Sequence, residues 1–141
     1  MSTVPTLAGI TSQMIDTPRL KTHVLFSGPQ AGEPVLFLHG NASSATFWKE
    51  IMLMLPTGMR GLAPDLRGYG DSEDKLIDAT RGLDDWVDDL IALLDSLKIE
   101  KTHVIGHSMG GTIAFGLVAA HPGRILSVTL VNPGSPYGFG G

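Results

Sequence analysis

The chain has 141 residues, long enough for one domain and too short for two. It is 43% hydrophobic and 17% charged with a net charge of −4, which fits a globular core, and no Lys/Arg cluster is present to hold nucleic acid or an anionic membrane. The absence of cysteine excludes disulfides, thiolate metal sites and cysteine nucleophiles.

Met1 to Leu7 shows neither a basic leader nor a long apolar core, and no apolar run approaches membrane-spanning length. The expected location is therefore cytoplasmic. Residues 10–16 and 20–26, separated by Thr17-Pro18-Arg19, read as two strands of a hairpin. Residues 27–34 form a turn by composition, and Val35-Leu36-Phe37-Leu38 is a continuous apolar run, the mark of a strand covered on both faces. It ends in His39-Gly40-Asn41. A helix is expected from Ser43 or Ser44, either of which suits the N-cap, with Phe47, Trp48, Ile51, Met52 and Leu55 inward and Pro56 ending it.

Residues 60–64 read as another short strand, running into the turn-rich Asp65-Leu66-Arg67-Gly68-Tyr69-Gly70-Asp71-Ser72. Leu83, Trp86, Val87, Leu90, Ile91, Leu94 and Leu97 recur at helical spacing, with Asp84, Asp85, Asp88 and Asp89 near the front, where the helix dipole favours acids. A β-branched run then passes through Gly106-His107-Ser108-Met109-Gly110 into residues 112–121, a helix stopped by Pro122. Strand, sharp turn with Ser at its apex, then helix is the context a G-x-S-x-G nucleophile elbow requires. A side chain two residues to either side of the Ser would collide with neighbouring backbone, and Gly106 and Gly110 remove it. Residues 126–131 read as a last strand. Alternating strands and helices imply right-handed crossovers and a mostly parallel sheet with helices on both faces, preceded by the hairpin. Such sheets bind ligands at the carboxyl ends of their strands, where His39-Gly40-Asn41, the 65–72 loop, Ser108 and Asn132 all fall.

Three stretches in this order, Val35-Leu36-Phe37-Leu38-His39-Gly40-Asn41, then Asp65 to Ser72, then Gly106-His107-Ser108-Met109-Gly110-Gly111, resemble the α/β-hydrolase family. The resemblance covers nearly the whole chain and implies the first six strands of that core. Residues 1–132 then form the N-terminal part of one core domain, and 133–141 a Gly/Pro-rich loop toward a cap or a cleavage point. Ser-Met-Gly-Gly at the elbow is similar to the branch of esterases, cofactor-free haloperoxidases, lactone hydrolases and carbon–carbon bond hydrolases. The resemblance implies Ser108 as catalytic nucleophile, the backbone N–H groups of Asn41 and Met109 as oxyanion donors, and Gly40 and Asn41 at the substrate position. His39 and His107 are expected to orient loops. Related dehalogenases and epoxide hydrolases use Asp at the elbow, where Ser108 stands here.

The family also needs a His base and an orienting acid after the Ser, in that chain order. The candidates His23, His39, His103, His107 and His121 all precede or flank the elbow region, and Asn132 stands where some relatives carry the acid. The expectation is a serine hydrolase of carboxylic esters, lactones or related small acyl compounds, inactive as residues 1–141 and completed by a C-terminal complementing chain of the same protein. The alternative is a non-catalytic receptor or scaffold on the same fold. A small-molecule substrate is expected, with no metal, cofactor, nucleic acid or membrane partner.

Overall fold

A computed structural model describes residues 7–135. In chain order these form β1 (Thr11–Asp16), β2 (Lys21–Ser27), β3 (Glu33–Leu38), α1 (Lys49–Leu53), β4 (Met59–Pro64), α2 (Asp84–Ser96), β5 (Thr102–His107), α3 (Met109–Ala120) and β6 (Ile125–Val131). The six strands make one sheet in the order β1-β2-β4-β3-β5-β6. β1, β2 and β4 pair antiparallel, whereas β4, β3, β5 and β6 run parallel. The hairpin, the mostly parallel sheet and the helices on both faces are those expected.

The apolar run of β3 is explained by its central place. Leu36 and Leu38 face one layer, where Val87, Leu90 and Leu94 of α2 and Ile113 and Leu117 of α3 cover the sheet. Val35 and Phe37 face the other, against Ala45, Trp48 and Met52. Successive strand side chains point to opposite faces, so a strand covered on both sides is apolar at every position. β6 differs. It forms the sheet's other margin, and Leu126 and Val131 are 47% and 38% exposed. On α3, Phe115 and Val118 are also exposed.

The helix expected from residue 43 or 44 is shorter and turned differently. Residues Ala45–Trp48 form a 3₁₀ turn and only Lys49–Leu53 is α-helical. Trp48 and Met52, four apart, fix the inward direction, leaving Phe47 and Ile51 half exposed about 100° away around the axis. Ser44 takes the N-cap position, but its hydroxyl bonds to Thr46 Oγ1 instead. The Ala45 N–H goes to the carboxylate of Asp65, 2.7 Å away.

The acids of α2 also serve a different purpose from the one read in the sequence. Asp85 and Asp89 are buried and pair with Arg19, Arg67 and Arg81 rather than simply facing the dipole. After β6, Pro133 rests against Gly111 and the Gly134 N–H donates to Ser108 O, so residues 133–135 return over the turn before α3. The remainder of the loop expected at 133–141, and residues 1–6, lie outside the described residues. No helix among the described residues is long and apolar enough to cross a membrane.

Candidate active site

Ser108 stands between the last residue of β5 and the first of α3 at φ 53°, ψ −118°. That positive φ is uncommon for a residue with a side chain and costs on the order of 1–3 kcal/mol. The surrounding glycines allow the turn. A Cβ on Gly106 would stand 2.5 Å from Gly110 O and 2.8 Å from Gly111 Cα. One on Gly110 would run into Leu38 O and lie 2.6 Å from His39 O. The G-x-S-x-G spacing therefore lets α3 start directly against the end of β3.

The same packing brings the His39-Gly40-Asn41 loop onto the elbow. A Cβ on Gly40 would lie 3.2 Å from Ser108 Cβ and 3.1 Å from His107 Nδ1. Ser108 O accepts N–H bonds from Gly111, Thr112 and Gly134 at 2.9, 3.2 and 3.1 Å. Met109 is the first residue of α3, and the opening N–H groups of a helix have no partner within it. The N–H of Met109 thus lies at a helix N-terminus, where the dipole favours negative charge. Ser108, Met109, Gly40 and Asn41, the residues expected at the site, are brought together.

Tyr69 was not singled out by sequence reasoning. Its hydroxyl donates to Asn41 Oδ1 at 2.7 Å and lies 3.7 Å from Met109 Sδ, so it bridges both residues expected to hold the oxyanion. Its ring meets His39 edge-on at 5.3 Å. The available signal was its place between Gly68 and Gly70, on a loop leaving a parallel strand at the same rim.

None of the five imidazoles bonds to the Ser108 hydroxyl among the described residues. His39 is fully buried. It accepts the Leu66 N–H at Nε2, 3.0 Å, and therefore donates from Nδ1 to Gly40 O, 2.8 Å. Burial holds its pKa below the ordinary range despite the Gly40 bond and the charge of Asp65, so it is a neutral brace between two rim loops. His107 stacks on Phe47 at 4.8 Å, and its Nδ1 is buried without a partner. His103 bonds to Ser127 and Glu33. His121 ends α3, and thirteen residues of helix put it roughly 20 Å from Ser108. His23 bonds to Ser12 and Asp65.

The loop after β4 is tied beneath the rim by partners distant in the chain. Asp65 accepts from His23 Nδ1 at 2.7 Å and from the N–H groups of Ala45 and Asp71 at 2.7 and 2.9 Å. Burial pushes its carboxyl pKa up, and these bonds outweigh burial and hold it below the usual value. Arg67 grips Asp89 through two bonds of 2.7 Å, which raises its own pKa against the opposing effect of burial. His23, Asp65 and Asp71 bring one ligand atom each within 4.8 Å of the others, as a metal site would. His23 Nδ1 and Asp65 Oδ2 are already bonded to one another, so an ion there would have to break that pair.

Residues 33–140 match the alpha/beta hydrolase fold family. The chain belongs to that family. It is 36% identical over 115 residues to the 2-hydroxymuconate semialdehyde hydrolase of Pseudomonas sp. (strain CF600), a match covering 79% of this chain and 40% of that protein. Among solved structures it resembles a serine hydrolase from the polyaromatic hydrocarbon-degrading bacterium Cycloclasticus zankles, with a TM-score of 0.83 and 32% identity over 91% of this chain and 47% of the other. It also resembles an epoxide hydrolase of Vigna radiata, with a TM-score of 0.80 and 34% identity over 88% and 39%. These three relatives are hydrolases, and the chain spans about two fifths of the length of the first curated relatives it matches.

Proposed function

We propose that the whole protein is a serine hydrolase of carboxylic esters, lactones or related small acyl compounds. Ser108 Oγ attacks the acyl carbon, and the N–H groups of Asn41 and Met109 receive the charge that develops on the carbonyl oxygen. Gly40 and Asn41 border the substrate. The His base and its orienting acid come from a further segment of the same protein, which also covers β6 and the exposed Phe115 and Val118 of α3.

The observation that carries this reading is Ser108 held at φ 53° between two glycines whose Cβ positions are occupied by backbone. The relatives carry different names, so likeness alone does not choose a substrate. A serine hydroxyl at the elbow favours acyl transfer.

The test uses the protein with its complementing segment present. Wild type is expected to take a fluorophosphonate label and to hydrolyse a p-nitrophenyl ester. Ser108→Ala should lose roughly 10³-fold or more in kcat with its fold intact. Unchanged hydrolysis by that variant would sink the assignment, and failure of Ser108 to label would favour a non-catalytic scaffold. Residues 1–141 expressed alone are expected to be inactive.

A further inference from the structure

Away from the elbow, β1, β2 and the loop after β4 assemble a second serine, histidine and carboxylate. His23 is 3% exposed and lies beside Asp65, whose N–H bonds its carbonyl oxygen at 2.9 Å. His23 Nδ1 is 2.7 Å from Asp65 Oδ2, and its Nε2 is 2.6 Å from Ser12 Oγ. Asp65 accepts two amide N–H groups besides, one on each oxygen, so it acts as a carboxylate. His23 Nδ1 then carries the proton given to Asp65, and Nε2 is the ring atom that meets the Ser12 hydroxyl. Ser12 itself is exposed on β1, the outer strand of the hairpin. An exposed hydroxyl, a buried base and a buried acid that fixes the tautomer are the parts of an activated serine.

We propose that Ser12, His23 and Asp65 form a second reactive serine site, which captures small acylating and phosphonylating electrophiles. With an alkyl fluorophosphonate, Ser12 Oγ attacks phosphorus. The O–P bond forms, the P–F bond breaks and fluoride leaves. The hydroxyl proton passes to His23 Nε2, and the Asp65 carboxylate holds the resulting imidazolium. The amides that converge on this point, those of Ala45 and Asp71, are spent on Asp65. The site therefore lacks the elbow's helix-start donor, and the chemistry is stoichiometric capture rather than turnover.

The molecule contains its own control. Ser127 Oγ is 2.6 Å from His103 Nδ1, and His103 Nε2 is 2.6 Å from Glu33 Oε1. The same kinds of group meet there in solvent, with the Glu33 side chain 58% exposed and His103 26%. Water competes for every bond and screens the charge, so this serine gains little.

The experiment is run on the Ser108→Ala protein, so its outcome is independent of the role of the elbow. After incubation with an alkyl fluorophosphonate, peptide mass spectrometry is expected to find the adduct on Ser12 forming roughly 10²-fold faster than any on Ser127, the scale of general-base assistance. Adding Ser12→Ala should remove that adduct from a protein that still melts cooperatively, at no more than the modest cost of leaving His23 Nε2 without its hydroxyl. Equal rates at Ser12 and Ser127, or no adduct on Ser12 in a cooperatively melting protein, would overturn the proposal.

Discussion

The loop after β4 and the elbow after β5 share one rim and are built in opposite ways. In the loop, polar groups find partners within the fold. Asp65 takes three bonds, Arg67 grips Asp89, and Ser72 Oγ donates to Asp65 O at 2.7 Å while accepting the His23 N–H at 3.0 Å. At the elbow, Ser108 holds a strained φ, the opening amides of α3 have no partner within the helix, His107 Nδ1 is buried without a partner among the described residues, and apolar side chains of α3 and β6 are exposed. The difference has a physical sense. Strain persists only where surrounding structure over-determines it. The closed loop, joined to the elbow side through His39 and Tyr69, supplies that frame.

The largest expected effect breaks the closed side. Asp89 accepts from both Arg19 and Arg67 at 2.6–2.7 Å, with its side chain 8% exposed. Asp89→Ala strands the Arg67 guanidinium in a buried place and should cost about 3–5 kcal/mol in urea-induced unfolding. A loss below about 1 kcal/mol would mean that the network does not hold the loop. Next comes Gly110→Ala, which drives a Cβ into the carbonyls of Leu38 and His39. It should cost on the order of 1–3 kcal/mol and, unlike a variant of the loop, should abolish fluorophosphonate labelling of Ser108 even where the protein remains folded. Wild-type labelling and melting by this variant would show that the turn is not an elbow.

These two sites also differ in how far the sequence reveals them. The elbow is local: Gly106, Ser108 and Gly110 constrain one another over five residues, and the apolar run of β3 announces a strand covered on both faces. The loop's partners are remote in the chain. Arg19 reaches Asp89 across 70 residues and His23 reaches Asp65 across 42. Acids at the front of α2 fit the dipole rule equally well whether they face water or bury two arginines, so periodicity alone did not separate the cases. The facing of α1 was lost for a related reason. With one 3₁₀ turn and five α-helical residues, Trp48 and Met52 decide the orientation, and several apolar residues competed for that role.

Acid should weaken the closed side first. His39 has its folded pKa lowered by burial, so its stabilisation is present above the unfolded value, near 6.5, and fades as pH falls below it toward the folded value. The folded pKa of Asp65 is also lowered, because its bonds outweigh burial; its contribution is complete above about 4 and is lost as pH falls through the folded value. Melting temperature should therefore decline in two stages between pH 7 and pH 3. Asp65→Asn should flatten the lower stage and, by removing a charge that raises the His39 pKa, deepen rather than abolish the upper one. A variant that retains the full decline below pH 4 would remove Asp65 from this account.

The smallest effect sharpens the comparison most, because Tyr69 belongs to the loop by sequence and to the elbow by contact. Its hydroxyl bond to Asn41 Oδ1 is exposed, so losing it in Tyr69→Phe should cost no more than about 1 kcal/mol of stability. The ring remains against His39, which preserves the packing. What changes is the freedom of Asn41, whose carboxamide oxygen is no longer engaged, and of the His39-Gly40-Asn41 loop beside Ser108. If Tyr69 positions that loop, ester hydrolysis by the complete protein should fall several-fold in kcat, by up to about tenfold for 1.4 kcal/mol of lost transition-state stabilisation, while melting temperature scarcely moves. Tyr69→Trp would not restore the rate, since an indole N–H stands elsewhere on its ring. A marked fall in melting temperature with kcat unchanged would instead return Tyr69 to the closed loop and leave Asn41 oriented by the backbone alone.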